Sequence, residues 1–238
     1  MSRVTFIATA RRLGFLQVEL CDRTVPDLDH ADATLCELEQ HGVRSPSFAI
    51  RTDFSSPALR LDEQLDKARI GLDVAARMGA RMVRIWIGTS APSTSAEDRV
   101  RNALQALIPL AVKRSLRLAI ETHGGISSDV ACLMRLLETI DDPTLGVCID
   151  GGYLPGTDLE TALDVLDSRV LHIHVKVDDE TGPGGPSTDR NQSILRFVRE
   201  RDYRGLLVVE YEGSGPPLFG IAWARDVLCG IARDDRAG

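Results

Sequence analysis

Leu116–Glu121 (LRLAIE), Leu145–Asp150 (LGVCID), Val170–His174 (VLHIH) and Leu206–Glu210 (LLVVE) are four short apolar runs, and each ends in a side chain able to ligate a metal. Each has the length of a buried parallel strand and precedes a turn and a helix-patterned segment. Strand side chains alternate faces with a period of two. One parity carries Leu118 and Ile120, Val147 and Ile149, Leu171 and Ile173, Leu207 and Val209, large aliphatics suited to a face covered by helices. The other carries Ala119 and Glu121, Cys148 and Asp150, His172 and His174, Val208 and Glu210. Glu121, Asp150, His174 and Glu210 therefore share the opposite face, at the C-terminal ends of their strands.

Outward from these runs the chain repeats strand then helix. Leu16–Leu20 reads as a strand with Leu16, Val18 and Leu20 toward helices and Glu19 inward, where it is expected to pair with Arg84 or Arg117. A helix over Ala31–Gln40 closes at Gly42, and Phe48–Arg51 is the next strand. Leu61, Leu65, Ala68, Leu72, Ala75 and Met78 form one apolar stripe ending at Gly79, before a strand over Met82–Gly88. Glu97–Ser115 is helical by pattern, with Pro109 expected to kink it. Helices follow near Leu133–Ile140, capped by Ser127, Ser128 or Asp129, and over Leu159–Leu166, Gln192–Arg201 and Ile221–Arg233. No linker, repeat or composition break interrupts the series. The expectation is one α/β domain over residues 1–238, a TIM (β/α)8-type barrel.

At 238 residues the chain has about the length of one such barrel. Its 43% hydrophobic and 26% charged content is that of a globular protein. The net charge of −7 argues against a nucleic-acid partner. Five cysteines without a CxxC pair, no leader and no apolar run of spanning length predict a cytoplasmic protein with reduced thiols and no membrane partner.

In a closed barrel the shared face is the interior, and its C-terminal ends ring the mouth where such enzymes keep their sites. Three carboxylates crowded there raise one another's pKa unless a cation neutralises them. Three oxygen ligands and one imidazole suit Mn²⁺ best, with Mg²⁺ or Co²⁺ as alternatives. His172, one step deeper on the same parity, is expected to orient a ligand from behind. Trp86, His123, Tyr153 and Lys176 are the candidate substrate contacts. The glycine-rich stretch Thr181–Thr188 (TGPGGPST) is expected to form a mobile lid.

ETHGG (Glu121–Gly125), CIDGGY (Cys148–Tyr153), HIHVK (His172–Lys176) and VVEYEG (Val209–Gly213), with GFLQVEL (Gly14–Leu20) upstream, resemble the sugar isomerase/epimerase superfamily. This is the xylose isomerase-like TIM barrel group that includes the AP endonuclease family 2 fold. The likeness places a helix before Gly14 and leaves no first strand. Either the barrel lacks one strand, the preferred reading, or Arg3–Ala8 is forced into one. An open seam would need a cover such as a second copy of the chain, making a homo-oligomer. The resemblance also implies that Glu121 and Glu210 flank the sugar carbon as proton-transfer groups. Tyr153 stands where the family commonly has a histidine, and the acid of the His-x-Lys-Asp pattern is displaced by one residue, to Asp178. The function expected is a divalent-metal-dependent isomerase or epimerase acting on a small sugar, keto-sugar or hydroxy-keto acid through an enediolate. The alternatives are a metal-dependent dehydratase or lyase on a cyclic polyol ketone or keto-glycoside, and a catalytically inactive barrel serving as a partner subunit.

Overall fold

A computed structural model describes residues 1–151, 154, 157–179 and 186–234, with 186–190 and 229–234 by backbone alone. Helices and strands alternate: α1 (Arg3–Arg12), β1 (Gln17–Cys21), α2 (Leu28–His41), β2 (Arg44–Arg51), α3 (Leu61–Arg77), β3 (Met82–Trp86), α4 (Thr94–Lys113), β4 (Arg117–Glu121) and α5 (Val130–Ile140). There follow β5 (Leu145–Asp150), α6 (Leu159–Leu166), β6 (Val170–Val177), α7 (Pro186–Glu200), β7 (Leu206–Tyr211) and α8 (Leu218–Asp234). The seven strands form one sheet in chain order, β1 to β7. This is the α/β fold of the TIM type. Residues 3–8 lie inside α1, whose first turn is capped by the Ser2 hydroxyl accepting from Thr5 N, so they supply no strand.

Two compact units divide the chain, Met1–Val147 and Cys148–Gly238. In the first, β1 to β4 pair in parallel and α1 to α4 pack on them. Local chemistry sets the helix ends. Asp27 caps α2 and Asp129 caps α5, while Gly42 takes the left-handed conformation that ends α2. Pro109 does not end α4, which runs on to Lys113. Its ring removes the bond that its own N–H would have given Gln105 and crowds that carbonyl. Leu16, expected toward helices, precedes β1 and is half exposed. β2 starts at Arg44, ahead of the expected Phe48. Against β1 it advances three residues, from Arg44 to Ser47, where the partner advances two, from Gln17 to Glu19. That bulge accommodates Pro46, which has no N–H for the ladder.

In the second unit β6 and β7 pair in parallel, with Lys176 opposite Glu210 and His174 opposite Val208. α7 and α8 pack on them. All eight residues of β6 are buried, so the strand extends three residues past the expected His174, to Val177. Each residue of β7 is partly exposed. α7 starts at Pro186, a residue suited to the first helical position. The end of the expected lid, residues 186–188, is therefore helix, and the rest lies outside the described residues. No helix among the described residues is long and apolar enough to cross a membrane.

Candidate metal centre

The C-terminal ends of β5, β6 and β7 supply a tight cluster in the second unit. Asp150 is fully buried at the end of β5, and His174 and Lys176 are buried two residues apart on β6. Glu210 enters from β7, with Glu212 just beyond the strand. His174 Nδ1 lies 2.9 Å from Glu210 Oε2 and 3.7 Å from Asp150 Oδ2. The Lys176 ammonium sits 2.7 Å from Asp150 Oδ2, 2.6 Å from Glu210 Oε2 and 2.6 Å from Glu212 Oε1. Period two on adjacent parallel strands brings these groups together, because every strand presents the same parity at the same end.

The charges in the cluster support one another. Burial disfavours a charged imidazole at His174, but Cys148, Asp150 and Glu210 outweigh it and hold the pKa well above the usual histidine value. Burial likewise opposes the Glu210 carboxylate, yet His174 and Lys176 bring its pKa well below the usual glutamate range. For Lys176 burial is again overcome, by Asp150, Glu210 and Glu212, and the ammonium is held more firmly than in water.

These donors fit a divalent cation. Oxygens of Asp150, Glu210 and Glu212 lie within 4.8 Å of one another, and one imidazole joins them. That is the oxygen-rich set that hard ions select. The Lys176 ammonium occupies the point where the carboxylates converge and so marks where they attract positive charge.

The first unit holds Glu121, Trp86 and His123. Glu121 ends β4 and is buried. Arg84 on β3 forms an ion pair with it and donates a second bond from Nε to Glu19 Oε2 at 2.9 Å. Ser47 donates to the other Glu19 oxygen at 2.6 Å. Glu19 therefore pairs with Arg84, one of its two expected partners. His123 Nδ1 lies 3.9 Å from Glu121 Oε1, and its ring meets Trp86 edge-on at 4.4 Å. The Arg51 guanidinium covers the indole at 4.4 Å. Trp86 Nε1 is buried with no hydrogen-bond acceptor among the described residues.

Asp150, His174 and Glu210 thus come together as their parity predicts, with His172 beside His174 at a ring separation of 4.9 Å. Tyr153 lies outside the described residues. Two features differ from the sequence reading. The carboxylates do not depend on a metal for counter-charge, because Lys176 and Arg84 already supply it. Lys176, expected at the rim as a substrate contact or a solvated cation, is buried among carboxylates. Sequence reasoning also missed Glu212, although it shares the parity of Glu210 two residues on.

A family model described as xylose isomerase-like TIM barrel matches residues 7–230. No curated protein matches the sequence significantly. Among solved structures, an L-ribulose 3-epimerase is 15% identical with a TM-score of 0.82, covering 98% of this chain and 89% of its own. The 3-keto-D-glucoside 4-epimerase of E. coli is 14% identical with a TM-score of 0.76, covering 97% and 94%. A probable 3-DHS dehydratase of Bacillus anthracis, involved in petrobactin synthesis, is 16% identical with a TM-score of 0.79, covering 96% and 94%. At these identities the likeness is one of fold.

Proposed function

The chain belongs to the xylose isomerase-like TIM barrel family, and on that premise we propose that it is a divalent-metal-dependent isomerase or epimerase of a small sugar, keto-sugar or hydroxy-keto acid. The observation that carries this reading is the convergence of Asp150, His174 and Glu210 from the C-terminal halves of three strands, around the point that the Lys176 ammonium occupies. Mn²⁺ is the ion proposed, held by these three residues. The sequence pattern adds Glu121, at the corresponding end of β4, as the fourth ligand. When bound, the ion polarises the substrate carbonyl and so acidifies the neighbouring C–H.

The side chains do the rest. Glu210 is ionised, and it is proposed to accept the proton from carbon once the Lys176 ammonium, whose contact weakens it as a base, is displaced. Glu121 is proposed to return a proton from the opposite side, once released from Arg84. His172, in edge-to-face contact with His174, is proposed to hold that ring in orientation. Trp86 offers a flat wall with an unused N–H, and His123 stands edge-on to it, an arrangement suited to a sugar hydroxyl. The names of two similar structures, both sugar epimerases, favour this chemistry over dehydration. The dehydratase likeness keeps loss of water as the second reading.

The test is proton exchange. Ketoses and 3-keto-sugars incubated in D₂O with Mn²⁺ and enzyme should gain deuterium at the carbon beside the carbonyl, without loss of water. Glu210→Gln should slow this by about 10²–10⁴-fold. Absence of exchange from every such sugar, with Mn²⁺ demonstrably bound, would refute the isomerase reading. Water loss accompanying exchange would replace it with the dehydratase.

A further inference from the structure

We propose that Cys148, His172 and His174 form a second cation site in this protein, one that takes a thiophilic divalent ion such as Zn²⁺. The site is separate from the carboxylate set in its donor chemistry. One ligand atom from each of the three lies within 4.8 Å of the other two. Cys148 and His172 are fully buried and His174 nearly so. The geometry follows from the strands. His172 and His174 alternate with Ile173 on β6 and so share a face, and Cys148 stands one step inward from Asp150 on β5. The two imidazoles meet edge to face, at 78° between planes, so their nitrogens are directed differently instead of stacking.

One thiolate and two imidazoles are a soft donor set, of the kind that selects zinc over manganese or magnesium. Around a tetrahedral zinc, sulfur at about 2.3 Å and nitrogen at about 2.0–2.1 Å stand roughly 3.5 Å apart, so closure from separations within 4.8 Å needs at most about an ångström of side-chain movement. Binding forms one Zn–S and two Zn–N bonds and sends two protons to solvent, the thiol proton of Cys148 and one proton of the His174 imidazolium, so affinity should rise with pH. Three protein ligands leave the fourth position for water or a small anion.

His174 belongs to both donor sets. Its Nδ1 faces Glu210 at 2.9 Å, so a soft ion must use the other ring nitrogen or draw the ring away from that carboxylate. Zinc at the soft site should therefore weaken manganese binding, a consequence that rests on the proposed carboxylate site. The soft site itself does not.

Cobalt distinguishes the two. The full chain, stripped of metal, is titrated with Co²⁺ and its absorption spectrum recorded. A soft site gives a thiolate-to-cobalt charge-transfer band in the near ultraviolet and intense four-coordinate visible bands, both displaced by one equivalent of Zn²⁺. The charge-transfer band should vanish in Cys148→Ala and in the near-isosteric Cys148→Ser. It should weaken in His172→Gln, which keeps the thiol, and persist in Glu210→Gln. Zinc affinity should fall by about 100-fold or more in Cys148→Ala, since losing even an outer partner of a ligand costs 10–100-fold. Circular dichroism identifies any variant that fails to fold. A wild-type spectrum with only weak six-coordinate bands overturns the proposal, as does a charge-transfer band that survives both Cys148 substitutions. Loss of manganese binding in Glu210→Gln with the cobalt band intact would separate this site from the proposed catalytic one.

Discussion

Lys176 has the most to reveal at the level of single residues. A buried lysine is costly unless opposite charges surround it, and here three carboxylates do. Replacement by Met leaves fully buried Asp150 short of its cation, and the metal-free protein should lose about 3 kcal/mol of stability. The same variant should bind Mn²⁺ more tightly, because no tethered ammonium competes for Asp150 and Glu210. Denaturant unfolding with and without Mn²⁺ checks both outcomes. If Lys176→Met is destabilised and Mn²⁺ restores nothing, these carboxylates are a salt-bridge cluster and the metal assignment fails. The parity of the strand runs made Asp150, His174 and Glu210 legible from sequence. The burial of Lys176 was not, because it depends on Glu210 and Glu212 from another strand, and a period-two pattern is silent on which charges neighbouring strands bring opposite. Arg84 was legible only in part. Its pairing with Glu19 was expected, whereas its reach to Glu121 depends on how the side chain extends across the sheet.

Between elements, the loop after β7 is tied to the end of β6 by one carboxylate. Asp179 accepts from Ser214 N at 2.8 Å, Ser214 Oγ at 2.9 Å, Gly215 N at 2.9 Å and the Tyr211 hydroxyl. The Tyr211 bond above all, then the two amides, holds the Asp179 pKa at about 2, against an ordinary value of 3.8. A depressed carboxylate stabilises the folded loop fully above its unfolded pKa and loses that effect as pH falls through the folded one. Protection of the Ser214 and Gly215 amides from hydrogen exchange should therefore hold down to about pH 4 and decline toward about pH 2. In Asp179→Asn it should be weak at neutral pH and nearly flat across the same range. Equal protection in both proteins would show that the loop is held by something else. A second element-level prediction concerns the packing of α3 on β2. A Cβ at Gly71 would strike Ile50 Cδ1 and lie 2.7 Å from its Cγ1. Gly71→Ala should cost about 1–3 kcal/mol despite the better helix propensity of alanine, read from thermal or denaturant unfolding. The apolar stripe of α3 was visible in sequence, but this close approach was not, since a glycine within a helical pattern reads as a mere weakness. The early start of β2 was hidden for a related reason: Pro46 reads as a turn until the bulge opposite β1 is known.

For the molecule as a whole, the strand–helix alternation followed from sequence, because the hydrophobic period recurs from segment to segment, whereas the missing first strand came from the family resemblance, which left a strand over Arg3–Ala8 open. Domain number is a different matter. Pattern gave no boundary and the family model runs across residues 7–230, whereas packing divides the described chain at Val147, within β5. The chain carries two tryptophans, Trp86 in the first unit and Trp223 in the second. Trp86→Phe and Trp223→Phe thus each leave one fluorophore, reporting on one unit. A single cooperative domain predicts that both emissions and the far-ultraviolet circular dichroism share one urea midpoint, as two-state unfolding requires. Each substitution is a modest volume change and can shift that midpoint, so each variant's fluorescence is compared with its own circular dichroism. Separate midpoints within one variant would mean that the units unfold independently and that the single-domain expectation is wrong. Mn²⁺ sharpens the result. In Glu121→Gln, where the proposed ligands left for the ion all belong to the second unit, it raises just the Trp223 midpoint if the units are independent, and raises both if they unfold as one.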